Sequence, residues 1–532
     1  MARILISDKL ADEGLEILEA AEGIEFDHKP GLDADELTRI LPDYDALIIR
    51  SGTKVTADVL KSTDRLRVVG RAGIGVDNVD LPQATARGVI VMNTPEGNAI
   101  TTAEHAISLM ASLARRIPQA TASMKAGNWD KSKFGGRELF NQILGVIGLG
   151  NIGSIVADRA KGLRMRVIAF DPIVTEERAK RLGVELVSLD ELLSRADVIS
   201  IHVPLTNDTR ALIGAEQFAM AQDGLLVVNA ARGGIVDEAA LLGAIESGKV
   251  AGAALDVFDT EPPPADHPLL ARDEVIATPH LGAATSQAQL NVAIAVAEQV
   301  RDYLTTGVVR NAVNLPPVSA AELEELGPYI TLGEKLGLLQ GQSCSGISAI
   351  EIVCAGEIGD LKTKPITLAV LKGVLSPWMG ERVNLVNASH LASERGINVT
   401  ETAAASHPDF RSLVSVKVSS DSGEQLVAGT IFGRSQPRIV RIDNFMLEAV
   451  PDGPALLIRN SDQPGVVGQV GTLLGGAGIN ISRMQLGLLL EGKSALQLLN
   501  VTPRPGDDLI TALKSIKAID SVYVLDLGEQ AT

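Results

Sequence analysis

The sequence predicts an α/β chain with two doubly wound parallel sheets, an α+β segment after them and a small C-terminal βαββαβ unit. Three observations carry this. In the N-terminal half, short β-branched or leucine-rich runs alternate with longer helical patterns, the arrangement that lays helices on both faces of a parallel sheet. The alternation restarts after a helical stretch at 101–126, so one sheet becomes two. Near the end, the order strand, helix, strand, strand, helix, strand is the ferredoxin-like arrangement.

The first sheet draws on strands expected at 3–7, 46–50, 68–70 and 89–93, with helices at 11–20 and 33–41. The second draws on 143–147, 166–170, 198–202, 225–229, 252–256 and 275–277. A helix at 286–305 follows. Asn314-Leu-Pro-Pro closes this part, because paired prolines cannot continue a helix. From 317 to 450 glycine and serine rise, and strands such as 350–354 and 413–418 mix with helices. The last unit reads strand 455–458, helix 466–475, strands 481–488 and 494–501, helix 508–516 and strand 521–527. The expected domains are 1–97 with a return segment at 289–316, 98–288 inserted between them, 317–450, and 454–529.

Composition narrows the function. A chain of 532 residues is too long for one ordinary core, and 45% apolar residues are ample for several. Apolar stretches such as 143–149 are far shorter than the roughly 20 residues a bilayer requires, so no membrane association is expected. A net charge of −18 without a basic run argues against nucleic acid. An anionic small molecule would need local Arg and Lys to reverse that field. Cys344 and Cys354 form neither a disulfide framework nor a metal-ligand spacing, and read as small buried side chains. No metal is expected. The chain opens on a strand with no signal or transit sequence ahead of it. That fits a reducing cytoplasm, and equally a plastid form whose leader has been removed.

The strongest local signal is Gly148-Leu-Gly150-Asn-Ile-Gly153, between an apolar strand and a helix. The first glycine permits a tight turn, the second lets the backbone approach a pyrophosphate, and the third lets helix pack on strand. The helix N-terminus offers free N–H groups to phosphate. Gly73-Ile-Gly75 and the glycines at 465, 468 and 471 are also glycine-rich, but lack the strand–helix–strand–acid context. The second strand here ends at Phe170 and is followed by Asp171. A carboxylate there accepts from a ribose and repels a 2′-phosphate, which favours NAD over NADP; its alternative is an ordinary strand-end turn residue. Both wound sheets are expected to be Rossmann-like, the second one forming the NAD-binding domain.

Three further segments place polar residues beside strand ends, where an open α/β sheet binds ligands: Asn229-Ala-Ala-Arg232, Asp256-Val-Phe-Asp-Thr-Glu261 and Thr278-Pro-His280. Oxidising a secondary alcohol needs a base for the hydroxyl proton and a cation for the adjacent carboxylate. Histidine oriented by a carboxylate suits the first, and the planar fork of arginine the second. Each residue alone could be a solvated loop residue. Together, in order behind a dinucleotide motif, they point to one chemistry.

These segments resemble the D-isomer-specific 2-hydroxyacid dehydrogenases. The resemblance implies that Arg232 binds the substrate carboxylate, His280 moves the hydroxyl proton and Glu261 pairs with His280. It puts Asp256 near the nicotinamide, with Thr209 and Ala230 lining the cofactor site. Gly148, Gly150, Asn151, Ile152, Gly153, Asp171, Arg232, His280, Gly282 and Ala283 complete the implied NAD contacts. Asn151 stands where relatives often carry arginine. Within the family, the segments at 49–55, 70–80 and 93–98 resemble the substrate loops of long-form members that oxidise 3-phospho-D-glycerate. That implies substrate contacts from Arg50, Ser51, Arg71, Gly73 and Asn98. Lys131, Lys133 and Arg137 either add to this cationic field or form a solvated helix end.

The last unit resembles an ACT domain, a module that binds amino acids at dimer interfaces. It implies L-serine as effector, held by Asn460, Asp462 and Asn480, in a homo-oligomer, dimer or tetramer. The alternative use is oligomer contact alone. The segment 317–450 resembles the intervening domain of long-form members, with no ligand assignable from its residues. Two rival functions remain at this stage: a glyoxylate or hydroxypyruvate reductase, and a non-catalytic dinucleotide sensor, against which the intact Arg232, Glu261 and His280 set argues.

Overall fold

The computed structural model describes the chain except for residues 319, 490–492 and 529–532. Position 319, inside the expected third domain, and position 529, the expected end of the fourth, lie outside the described residues. By their contacts the residues divide into two units: Met1–Val55, Val68–Val79 and Met92–Asn311 form one, and Thr56–Arg67, Asp80–Val91 and Ala312–Thr532 the other.

Two parallel sheets come first. The five-stranded one runs Ile24–His28, Ala2–Ile6, Ala46–Ile49, Val68–Arg71, Ile90–Met92. Its edge strand Ile24–His28 has no fully buried residue, which is why its pattern does not stand out in the sequence. The seven-stranded sheet runs Val275–Ala277, Val250–Leu255, Leu225–Asn229, Val198–Ile201, Ile143–Ile147, Arg166–Phe170, Glu185–Leu186. Ile143–Ile147 sits where the winding reverses, between Val198–Ile201 and Arg166–Phe170. In an open α/β sheet that reversal leaves a ligand crevice beyond the carboxyl ends of the strands.

The helix expected at 101–126 is two helices, Ala99–Ala114 and Ile117–Lys125. Arg116 between them adopts φ +53°, and Pro118 opens the second helix. Proline has no N–H to give the carbonyl four residues back, so the first helix cannot run on. The helix expected at 286–305 runs Ser286–Thr306, begun by the Thr285 hydroxyl accepting from the Ala288 N–H and ended by Gly307 at φ +74°. It packs on Asp12–Glu19 at Gly14, where a Cβ would lie 2.9 Å from the Ala293 carbonyl oxygen.

In the second unit a six-stranded mixed sheet runs Asn398–Ala404, Ala349–Gly356, Ser412–Ser420, Gly423–Phe432, Gln436–Ile442, Phe445–Ala449. Two helices, Ala320–Ser343 and Lys364–Met379, lie against each other with touching backbones. A Cβ on Gly337 would stand 2.2 Å from the Val370 carbonyl oxygen, and one on Gly373 2.1 Å from that of Glu334. Only glycine permits so close an approach. The last sheet runs Asn480–Leu489, Ser494–Thr502, Pro454–Ser461, Ile519–Asp526, all antiparallel, with helices Val466–Gly476 and Asp507–Lys514. This is the ferredoxin-like order the sequence predicts. Cys344 and Cys354 are buried free thiols, and burial pushes Cys354 up to about 12. Among the described residues, no helix is long and apolar enough to cross a membrane.

Candidate active site

The glycine motif lies at the winding reversal, at the carboxyl end of Ile143–Ile147. Gly148 takes φ +92°, and a Cβ on it would strike the His202 carbonyl oxygen at 2.7 Å. A Cβ on Gly153 would lie 1.9 Å from the Gly148 carbonyl oxygen, so this glycine lets the helix Asn151–Gly162 seat on its strand. Gly150, at the N-cap of that helix, has no atom of the described residues within 4 Å of its Cβ position, and none of their side chains caps the helix. Its first-turn amides are left for an anion.

Asp171 is half-buried. One carboxylate oxygen accepts from Leu149 N–H at 2.8 Å, the other from Ile173 and Val174 N–H at 2.9 and 3.0 Å. It is thus both the turn residue and a carboxylate beside the glycine loop, with acceptor capacity remaining. Asp171→Ala is expected to weaken NADH binding about tenfold by fluorescence titration and to lower the melting temperature, since a charge-assisted acceptor is lost.

Sequence reasoning overlooked His202. Its Nε2 lies 2.8 Å from Ser200 Oγ, while its buried Nδ1 has no partner among the described residues. Desolvation pushes it down to about 3, so the ring is neutral. A neutral ring with an unpaired buried nitrogen beside Gly148 fits a polar ligand entering this crevice. The Thr209 hydroxyl, in contrast, donates to the Pro204 carbonyl at 2.6 Å and shapes its own loop. Ala230 is buried, Ile152 and Ala283 are half-buried, and Asn151 is exposed.

Across 19 positions, His280 Nδ1 meets Glu261 Oε2 at 2.7 Å. Glu261 Oε1 accepts from Phe258 N–H at 3.1 Å. Burial would push the Glu261 carboxyl up, but His280 and that N–H hold it below the ordinary value. With Nδ1 so engaged, Nε2 is the nitrogen left for a reacting oxygen. Asp256 does not open onto solvent: its side chain is fully buried and both oxygens hold the turn that carries His280.

Arg232 follows Leu225–Asn229, in a loop shaped by Asn229, whose side chain bonds Arg232 O and Ala231 N–H at 2.9 and 3.1 Å. Its Nε donates to Asp77 Oδ2 at 2.6 Å and its Nη1 to the Ala231 carbonyl at 2.6 Å. Its Nη2 lies 1.5 Å from where a Cβ on Gly75 would be. Gly73 gives the same freedom to Arg71, whose Nη1 lies 1.5 Å from the Gly73 Cβ position. Gly73 and Gly75 therefore make room for two guanidinium groups. Neither Asp77 nor the purpose of Gly75 was legible, because their partner, Arg232, lies 155 positions beyond Asp77.

Arg71 is half-buried, with its Nε shielded and without a partner among the described residues. Desolvation first, and then the charge of Arg232, lower it to about 10. A crowded pair of cations with an orphan donor is the arrangement an anionic ligand relieves. Arg50 lies on the loop that Asp8 cradles, its N–H bonded to Asp8 Oδ2 at 2.6 Å and its Nη1 to the Lys9 carbonyl at 3.3 Å. Asn98 is buried, with Oδ1 unpartnered among the described residues, and Ser51 is exposed. Of the outlying cations, Lys133 pairs with Asp130 at 2.7 Å and Lys131 is solvated.

Comparison with known proteins agrees with this geometry. The family model for the D-isomer specific 2-hydroxyacid dehydrogenase NAD binding domain matches residues 107–282. That for the D-3-phosphoglycerate dehydrogenase intervening domain matches 325–443. D-3-phosphoglycerate dehydrogenase from Archaeoglobus fulgidus is 44% identical over 526 residues, covering 98% of this chain and 99% of that one. The chain belongs to the D-3-phosphoglycerate dehydrogenase family. The Bacillus subtilis member is 43% identical over 528 residues, covering 99% of this chain and 100% of its own. Among solved structures, D-lactate dehydrogenase from Aquifex aeolicus with NAD and lactic acid matches at TM-score 0.52 and 28% identity, covering 59% of this chain and 100% of that one. A glyoxylate reductase from Paecilomyes thermophila matches at TM-score 0.55 and 28% identity, covering 59% and 98%. NAD is the cofactor of this family's dinucleotide domain, and the open space at the Gly150 Cβ position, the helix N-terminus without a side-chain cap and the unpartnered His202 nitrogen are the features here that fit it.

The C-terminal positions behave differently from one another. Asn460 is buried, its Oδ1 accepting from Gln497 Nε2 at 2.8 Å and its Nδ2 donating to the Ser461 carbonyl. Asp462 and Asn480 are exposed.

Proposed function

We propose that the chain oxidises 3-phospho-D-glycerate to 3-phosphooxypyruvate with NAD, the first step of the phosphorylated route to L-serine, under feedback by L-serine. The observation that carries this is the Glu261–His280 pair together with Arg232, held by Asp77 beside the half-buried Arg71. The substrate carboxylate takes the Arg232 edge over Gly75, since Nε and Nη1 are already engaged. The C2 hydroxyl gives its proton to His280 Nε2, and the charge that develops on the ring is met by Glu261. Bound NAD supplies the hydride acceptor. In reduction the same imidazolium returns the proton. Arg71 and Arg50, with Ser51, Gly73 and Asn98, take the phosphate end. The roughly three negative charges of the substrate offset the mutual repulsion of the arginines.

In this reading 1–97 with 289–316 binds the substrate, 98–288 binds NAD, and 454–529 is the regulatory ACT unit of a homo-oligomer, dimer or tetramer. L-serine is held by Asp462 and Asn480, with Asn460 turning from Gln497, whose buried Oε1 is unpaired, toward the ligand. We assign the chain to the cytoplasm, although an Arabidopsis thaliana relative 40% identical to it is named as chloroplastic.

The test is NADH formation from 3-phospho-D-glycerate with and without L-serine. Turnover suppressed by serine supports both parts. Turnover indifferent to serine leaves the enzyme and removes the effector. NADH oxidation with glyoxylate or hydroxypyruvate, and none formed from 3-phospho-D-glycerate, moves the chain to the reductases.

A further inference from the structure

Asp256, just past the strand Val250–Leu255, gathers the turn that carries His280. Its main-chain oxygen accepts from His280 N–H at 2.9 Å. Oδ1 accepts from Leu281 N–H at 2.8 Å and the Thr278 hydroxyl at 2.5 Å, and Oδ2 from Gly282 N–H at 2.8 Å. His280 itself stands at φ +54°, a left-handed conformation that a residue with a Cβ keeps only when its surroundings impose it. Bonds to one residue, on both sides of His280, impose it here.

A further donor reaches the same carboxylate from another element. His105, on the helix Ala99–Ala114, brings Nε2 to 3.1 Å from Asp256 Oδ1 and 3.3 Å from Thr278 Oγ1. Thr102, one turn earlier on that helix, presses on the same turn, its Cγ2 standing 3.3 Å from the Cβ position of Gly282. Burial alone would push the Asp256 carboxyl up, yet the donors from His105, Thr278 and Leu281 hold it below its ordinary value. The carboxylate is thus a shared acceptor between helix and turn.

We propose that His105 is a positioning residue for His280. It donates from Nε2 to Asp256 Oδ1, fixes the rotation of the carboxylate so that both oxygens stay on the amides of Leu281 and Gly282, and thereby sets the aim of the imidazole. It acts through Asp256 and not on the reacting atoms. The proposal rests on His280 as the proton acceptor, so one of its tests is independent of turnover.

Hydrogen exchange of the 278–284 segment in the ligand-free full chain reads the clamp directly. His105→Ala is expected to speed exchange at Leu281 and Gly282 about tenfold, and His105→Gln, which keeps a side-chain N–H donor, to restore it. In steady state kcat falls by about the same factor in His105→Ala, with KM and NADH affinity near wild type, and recovers in His105→Gln. Asp256→Asn puts a donor where an acceptor is needed. Its loss combined with that of His105→Ala is expected to be less than additive, because both act on one contact.

Unchanged exchange in His105→Ala, or a loss that His105→Gln does not restore, overturns the proposal. So does a loss confined to NADH affinity or thermal stability. Should His105→Ala fail to fold, His105→Gln and Asp256→Asn carry the comparison: rapid exchange in Asp256→Asn alone supports the clamp, and slow exchange there removes it. If His280→Ala keeps turnover while exchange responds as expected, the base assignment fails and the clamp stands.

Discussion

Replacing His280 with alanine is expected to lower kcat about 10³- to 10⁴-fold, the usual worth of a positioned general base, while NADH affinity stays within about twofold. The reason is in the ring's two nitrogens. Nδ1 is bound to Glu261 at 2.7 Å, so the imidazole has one nitrogen left to take a proton from C2–OH. In the proposed mechanism alanine removes the proton acceptor, and it leaves Gly148, Gly150 and Gly153, which lie on another loop, untouched. Full activity in this variant, measured by stopped-flow or steady-state NADH formation, would remove His280 from the chemistry. A loss of NADH binding equal to the loss in kcat would make it a cofactor contact instead.

The second large effect is expected at Arg232. Arg232→Lys should lower kcat/KM about 10²- to 10³-fold, although the charge is kept. Lysine offers one point of charge where arginine divides three donors among Asp77, the Ala231 carbonyl and the open edge above Gly75. It cannot both satisfy Asp77 and present a flat edge to a carboxylate. The check is a series of 2-hydroxy acids, with and without a phosphate. A uniform loss across the series fits a carboxylate contact. A loss confined to the phosphorylated member would move Arg232 to the phosphate end and Arg71 toward the carboxylate.

Both sites rest on features that were legible to different degrees. The dinucleotide loop could be read because its physics is local: three glycines within six positions, a strand before them and a helix after. Arg232, Glu261 and His280 stood out as candidates because they follow successive strands, where chemistry collects in such sheets. The supports of the triad did not. Asp77 is one acidic residue in a glycine-rich loop, and His105 is one polar residue in an apolar helix. Each acquires its meaning from a partner on another element. The broken helix at Arg116 is the opposite case, because Pro118 was a visible stop that the apolar periodicity on either side outweighed.

Alternation of strand and helix and the glycine spacing, both short-range properties, were enough for the sequence by itself to determine two wound sheets, a ferredoxin-like end and an NAD-binding domain. The tertiary structure alone decided which carboxylate holds Arg232, that Gly73 and Gly75 exist to seat guanidinium groups, and that Asp256 faces the His280 turn rather than solvent. Those outcomes depend on where strand ends and helix faces meet after packing, and at hydrogen-bond distances an ångström of backbone placement decides which donor finds which acceptor.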